Sequence, residues 1–248
     1  MQLPWLDPGE EFPDVGLALD HRHSAPGLLA AGGALDVETL QKAYARGIFP
    51  WFSEGQPILW WSPNPRMVLR PQAFKLHRSL LKTIARFRTN SACEIRVDHS
   101  FGQVISNCAA SPREGQSGTW IVPSMVSAYE ALHEAGVAHS VETWIDGQLV
   151  GGLYCVALGR AVFGESMFTR VPNASKIALA ALVALCKAQG VPMIDCQQNT
   201  AHLARLGASE IARSEFVTQV ALAVRLAPLS WQFAPLYWDK LSPRLASA

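Results

Sequence analysis

Two short runs put acids where an acid is costly. Gly164-Glu165-Ser166-Met167-Phe168 sets a carboxylate among small and apolar residues, and Ile194-Asp195-Cys196-Gln197 sets another at the end of an apolar segment. Asp195 and Gln197 stand two apart, which places both on one face of a strand. A carboxylate in such surroundings must be paired, hydrogen-bonded or shifted in pKa. Beside a cleft, such groups do proton work or hold a cationic substrate. A structural hydrogen-bond network is the plainer use of the same residues.

A second constellation is cationic. From Gly55 to Cys93 there is no Asp or Glu, whereas Arg66, Arg70, Lys75, Arg78, Lys82, Arg86 and Arg88 are all basic. The whole chain has 21 basic and 20 acidic residues, formal charge +1, so the remainder is net negative. That balance excludes a globally basic protein and points to one face built for a polyanion. Arg78, Lys82 and Arg86 step by four residues, Lys75 falls in the same arc, and Leu76, Leu80, Ile84 and Phe87 cluster opposite. The pattern predicts an amphipathic helix with one stripe inward and one cationic stripe outward. Ordinary solvated helices interleave signs, so phosphate binding is the better reading. Trp51, Trp60, Trp61 and Trp120 are candidates to stack on bases. Packing is the commoner fate of tryptophan, and adjacent Trp60 and Trp61 point to opposite faces of a strand.

Other features are weak. His21-x-His23 lacks further ligands at metal spacing, so no metal site is expected. The glycine-rich run Gly27–Gly33 fits no phosphate-loop pattern and reads as a loop. Ser166 has no nucleophile-elbow context. Cys196 is most simply a buried, inert thiol. The five cysteines contain no C-x-x-C pair, which suits reduced thiols in a cytosol. The start of the chain lacks the basic and apolar run of a secretory signal. The longest apolar stretch, Ile177 to Cys186, is too short to span a bilayer. A soluble cytoplasmic protein is the expectation.

The elements that must position these groups follow from pattern. Asp36 caps a helix over 37–46 that stops at Gly47, followed by an aromatic loop through Trp51. Strands are expected at 58–61 and 66–70, separated by Ser62-Pro63-Asn64-Pro65. Helices at 74–87, 101–110 and 123–134 follow, with a strand at 93–98 between the first two. Strands at 139–145, 148–158 and 161–168 form a meander, with Asp146-Gly147 as a hairpin turn. A long apolar helix over 174–189 begins at Asn173, a buried strand covers 192–196, and Ser214 caps a last helix. The fold class is α+β, with a small N-terminal domain over 1–70 and a catalytic domain over 71–248. The meander, helix, strand and helix resemble the core of the GCN5-related N-acyltransferase fold.

Six collinear motifs add a family resemblance. Gly27-Leu28-Leu29-Ala30-Ala31-Gly32-Gly33, Arg46-Gly47-Ile48-Phe49-Pro50-Trp51, Trp60-Trp61-Ser62-Pro63-Asn64-Pro65-Arg66, Gly118-Thr119-Trp120-Ile121, Gly164–Phe168 and Ile194–Gln197 occur in this order. Together they resemble the bacterial leucyl/phenylalanyl-tRNA protein transferases. Two departures stand out: Asn64 where that family usually has Asp, and Arg205 within a stretch usually read Ser-Leu-Gly.

The resemblance implies transfer of Leu or Phe, and weakly Met, from aminoacyl-tRNA to the α-amine of proteins beginning with Arg or Lys. The new N-terminus would mark the product for degradation. It implies no cofactor, and the helix at Asn173 lacks the pyrophosphate loop that a coenzyme A enzyme needs. Asp195 would polarise Gln197, which receives or orients the attacking amine, and Glu165 with Asp195 would attract the acceptor's cationic side chain. Leu153, Met167, Leu179 and Ile194 are the candidates for the aminoacyl pocket, where a flexible Met wall suits two differently shaped guests. Trp51, Lys75, Arg78, Lys82, Arg86 and Trp120 are the candidate tRNA contacts. A monomer is expected. The alternatives are a tRNA-dependent transferase acting on a peptidoglycan precursor, a coenzyme A-dependent acetyltransferase, and a non-enzymatic RNA-binding module.

Overall fold

The structure, a computed structural model, describes residues 3–111, 121–242 and 245. Its N-terminal part is a four-stranded sheet of β1 (Trp5–Leu6), β2 (Leu28–Gly32), β3 (Phe49–Pro50) and β4 (Leu59–Trp61), ordered β1-β2-β4-β3. Helix α1 (Val37–Ala45) is capped by Asp36, whose carboxylate accepts from the Thr39 N–H at 2.8 Å. The glycine-rich run expected as a loop is strand β2. Its small side chains suit a buried position, and Gly32 has φ +86 with a Cβ site only 2.6 Å from the Leu6 carbonyl. The aromatic segment at 49–50 likewise forms a short strand on Trp60 and Trp61.

The second sheet has seven strands: β5 (Arg66–Leu69), β6 (Cys93–Val97), β7 (Ala138–Ile145), β8 (Gln148–Leu158), β9 (Ala161–Thr169), β10 (Ile194–Gln197) and β11 (Ser209–Ile211). Their order is β11-β5-β10-β9-β8-β7-β6, so β5, from before residue 70, is an internal strand of this sheet, one in from the β11 edge. Within this sheet, among the described residues, only β9 and β10 pair in parallel, and α5 (Ala174–Ala188) makes the crossover that such a pair requires. The meander, helix and returning strand thus stand as expected, in a mixed α+β architecture.

Helices cover both faces of the sheet. Helix α5 packs on β7 and β8, joined by α2 (Arg78–Thr89), while α3 (Phe101–Ala110), α4 (Pro123–Glu134) and α1 cover the other face. Double coverage explains why β7 is buried along nearly its whole length rather than in alternation. Gly151 lets α5 settle close, since a Cβ there would lie 2.4 Å from that of Ala174. The short α6 (Ala201–Arg205) and β11 lie outside the expected elements, in a stretch with too few apolar repeats to show a period, whereas β10 stands within two residues of the strand expected over 192–196. Helix α7 (Arg213–Ala223) begins one residue before the expected Ser214 cap, with Ala212 at the N-cap. No helix among the described residues is long and apolar enough to cross a membrane.

Candidate active site

Two bulges on neighbouring strands open the site. Across β8 and β9, Tyr154 faces Ser166 and Cys155 faces Gly164, so Glu165 is an extra residue. Across β5 and β10, Val68 faces Asp195 and Met67 faces Gln197, so Cys196 is the extra residue. The parallel register of β9 with β10 runs through Val162–Phe163 and Ile194–Asp195, and the bulged residues come next, Cys196 directly and Glu165 after Gly164. A bulge bends its strand and re-aims side chains. Simple alternation would put Asp195 and Gln197 on one face; the bulge instead moves Gln197 to a different register. Between the strands lies a cavity of about 480 Å³, its mouth included. Leu153, Met167, Leu179 and Ile194 all line it, joined by Leu182 and Leu203, and Glu165, Ser166 and Asp195 contribute polar groups.

Glu165 is the centre of the polar side. Its Oε1 accepts from the Tyr44 hydroxyl at 2.7 Å and from Gln197 Nε2 at 3.0 Å, and its Oε2 has the Tyr129 hydroxyl at 3.3 Å. The two tyrosine hydroxyls also contact each other. Burial raises the Glu165 carboxyl from 4.5 to about 7 against the pull of the Tyr44, Gln197 and Tyr129 donors, while nearby Asp195 adds a smaller push in the same upward direction. Burial, then the Glu165 charge, holds both tyrosines well above their ordinary value, so they stay O–H donors. Tyr44 comes from α1 and Tyr129 from α4, so three elements meet on one carboxylate.

Asp195 has another task. It is 1% exposed, and fully buried Arg66 grips it in a fork, Nε to Oδ1 at 2.8 Å and Nη2 to Oδ2 at 2.6 Å. The guanidinium also donates to the Gly47 carbonyl at 3.3 Å and lies between the rings of Phe49 and Phe216, 4.7 and 4.5 Å from their centroids. A planar, bidentate, stacked cation is what arginine supplies and lysine cannot. Asp195 Oδ1 then accepts from the Gln197 backbone N–H at 2.9 Å, supporting that residue in the left-handed region at φ +61. The two meet through backbone, whereas the Gln197 side-chain amide turns to Glu165. With its nitrogen donating there, the amide oxygen is the end able to accept from an amine.

The cationic window divides. Arg66 is inside, Arg70 pairs with Glu215 at 2.9 Å, and Arg88 with Asp239 at 3.5 Å. Lys75, Arg78, Lys82 and Arg86 are exposed and join no ion pair among the described residues. Lys75 is not on the helix as expected. The chain first makes a 3-10 turn over Pro71–Ala73 and the Lys75 N–H bonds to the Leu206 carbonyl at 2.8 Å, so α2 begins only at Arg78. Trp60 is buried with Nε1 on the Gly32 carbonyl, and Trp61 nearly so with Nε1 on that of Trp51, which removes both from base stacking. Trp51 is half-buried, edge-on to Trp61 at 5.4 Å between centroids. Trp120 lies outside the described residues. Asn64 keeps an acceptor in its turn, Oδ1 taking the Arg213 N–H at 3.0 Å.

Sequence reasoning overlooked Arg66, Tyr44 and Tyr129 as members of the site. A signal existed for the first: a buried Asp requires a cation, and Arg66 opens the apolar strand Arg66-Met67-Val68-Leu69. The tyrosines look like ordinary helix core residues until their hydroxyls find Glu165.

Comparison with known proteins bears on this geometry. The family model described as leucyl/phenylalanyl-tRNA protein transferase matches residues 68–221, and that of its N-terminal domain matches residues 33–64. Proteins named leucyl/phenylalanyl-tRNA protein transferase from Polaromonas sp. and Albidiferax ferrireducens are each 61% identical over 96% of this chain and 94% of their own. One from Leptothrix cholodnii is 54% identical over 98% and 96%. Among solved structures, FemX aligns with a TM-score of 0.42 at 11% identity, over 71% of this chain and 66% of its own. A GCN5-related N-acetyltransferase from Kribbella flavida aligns at 0.30 and 11%, over 67% and 57%. The chain belongs to the leucyl/phenylalanyl-tRNA protein transferase family and is an aminoacyltransferase.

Proposed function

We propose that the protein transfers Leu or Phe, and weakly Met, from aminoacyl-tRNA to the α-amine of proteins whose first residue is Arg or Lys. The observation that carries this reading is the juxtaposition of an apolar cavity with the Glu165–Gln197 pair at its bulged edge. The cavity suits an unbranched-at-β side chain with Met167 as an adaptable wall. The acceptor amine has a pKa of about 7.7–8.0, so a useful fraction is nucleophilic near neutrality. It attacks the ester carbonyl carbon, the C–O bond to the ribose breaks, and the amine's proton passes to the leaving ribose oxygen. The ester is already activated, so orientation does most of the work; effective molarities of about 10⁵–10⁸ M are reached by well-placed reactants.

In this reading the Gln197 amide oxygen orients the amine, and Asp195, held by Arg66, sets the backbone that aims it. Arg66 neutralises Asp195, so attraction of the acceptor's Arg or Lys falls on ionised Glu165. The four exposed cations on and before α2 form the tRNA-facing surface with half-buried Trp51. In this reading the enzyme acts as a monomer, in the cytosol where charged tRNA resides. The new N-terminus would then serve as a degradation signal. The test is transfer of labelled leucine from Leu-tRNA to peptides differing only in an N-terminal Arg or Met. Incorporation with Arg alone is expected; equal incorporation, or none, refutes the acceptor assignment.

A further inference from the structure

A second cavity lies behind the wall of the first. It holds about 650 Å³, mouth included, between the start of α2, the first turn of α5 and α6, and is edged by His77, Ser79, Asn173, Lys176, His202 and Arg205. None of its lining residues is acidic. Lys176 and Arg205 enter no ion pair among the described residues; Lys176 reaches only Asn173 Oδ1 at 3.5 Å. Arg205 rests Nε on the Ala201 carbonyl at 3.1 Å, and its terminal nitrogens make no hydrogen bond to another described residue. Partial burial, then the Lys176 and Arg205 charges, depresses the His202 pKa, a sign of positive charge that nothing here offsets. The first turn of α5 adds the positive end of a fifteen-residue helix.

Position turns this charge into a site. Helix α5 gives Lys176 to this cavity and Leu179 and Leu182 to the apolar one; α6 gives Arg205 here and Leu203 there. On its far side the cavity opens where α2 begins, at Ser79 beside the exposed stripe of Arg78, Lys82 and Arg86. Cationic groups therefore run from that stripe to the back of the apolar pocket. We infer that this cavity binds a backbone phosphate of the donor's single-stranded 3′ end, with Lys176 and Arg205 as its principal contacts. The inference rests on the reading that the apolar cavity takes the donor's leucyl or phenylalanyl group.

The test uses non-hydrolysable 3′-leucylamino-3′-deoxyadenosine, with and without a cytidylyl phosphodiester at its 5′ oxygen. Both are titrated by calorimetry against the wild type, Lys176→Ala and Arg205→Ser. The phosphodiester should tighten wild-type binding about tenfold or more, as charge-assisted hydrogen bonds do. Each variant should lose most of that factor while binding the phosphate-free ligand within about twofold of wild type. Its salt dependence should fall by about 0.7 in log–log slope for each phosphate lost from a single strand. A wild-type ratio near one, a ratio unchanged in both variants, or equal weakening toward both ligands overturns the phosphate site. The parent reading is checked separately with 3′-amino-3′-deoxyadenosine: if removing the leucyl group costs no affinity, the apolar pocket is misassigned whatever the phosphate does.

Discussion

Replacing Glu165 by Gln removes one proton-binding group from the centre of the site, and the structure sets the sign of the effect. In the unfolded chain this carboxyl is half-protonated near its ordinary 4.5, and in the folded protein near about 7. The folded state thus binds the proton more tightly. Its contribution to stability is fully present below 4.5 and is lost as pH rises through 7. At about 1.4 kcal/mol per pH unit, that separation is worth about 3 kcal/mol. Glu165→Gln has no such proton. With its oxygen in the Oε1 place it still accepts from Tyr44 and Gln197, but its amide nitrogen then faces the Tyr129 hydroxyl in place of a carboxylate oxygen, a fixed cost that does not titrate.

The assay is urea unfolding of both proteins between about pH 4.5 and pH 8, read as the difference in unfolding free energy at each pH. Wild type minus variant should fall by about 3 kcal/mol across that range, mostly between about pH 5 and 7, and then level off. In parallel, the wild-type KM for an Arg-initiated peptide should improve as Glu165 ionises, and the variant should lose that improvement. A stability difference flat within about 0.5 kcal/mol would show that the carboxylate is solvated normally and would refute the burial argument.

Three further outcomes follow from the geometry. Arg66→Met leaves Asp195 charged and unpaired in the interior, and should cost about 3–5 kcal/mol in urea unfolding; adding Asp195→Leu should recover most stability but not transfer, because Gln197 loses its backbone acceptor. Arg78→Ala with Lys82→Ala should weaken tRNA binding and reduce the log–log salt slope by about 1.8 if both meet duplex phosphates, measured by fluorescence titration across salt. Met167→Ala should raise Phe over Leu in competition transfer assays by enlarging one wall of the pocket, and an unchanged ratio would remove Met167 from it.

What the sequence revealed of this site depended on where its causes lie. Local causes were readable: Asp36 as a cap, the two-residue turn between β7 and β8, the apolar stripe of α2. The lining residues Leu153, Met167, Leu179 and Ile194 could be named because they neighbour the unusual acids in strands and helix of clear pattern. Non-local causes were not. The bulge at Cys196 exists only relative to β5, more than a hundred residues earlier, so alternation misplaced Gln197. Lys75 missed the helix because Leu206, from a segment without apolar periodicity, holds its backbone. The seven-residue charge excess was real, yet Arg66, Arg70 and Arg88 find acids elsewhere in the chain.

The Arg66 guanidinium bears on how the molecule comes together. It cannot leave water until the large sheet brings Asp195, the N-terminal part brings Phe49 and the Gly47 carbonyl, and α7 brings Phe216. Three remote stretches must therefore arrive around one ion, and any two without the third leave it half-enclosed and costly. The two matched family segments divide between residues 64 and 68, on either side of this residue. A cut placed there would fall beside a fully buried ion held from both parts, so the N-terminal part and the seven-stranded sheet are expected to unfold together, in one transition by circular dichroism and by tryptophan fluorescence.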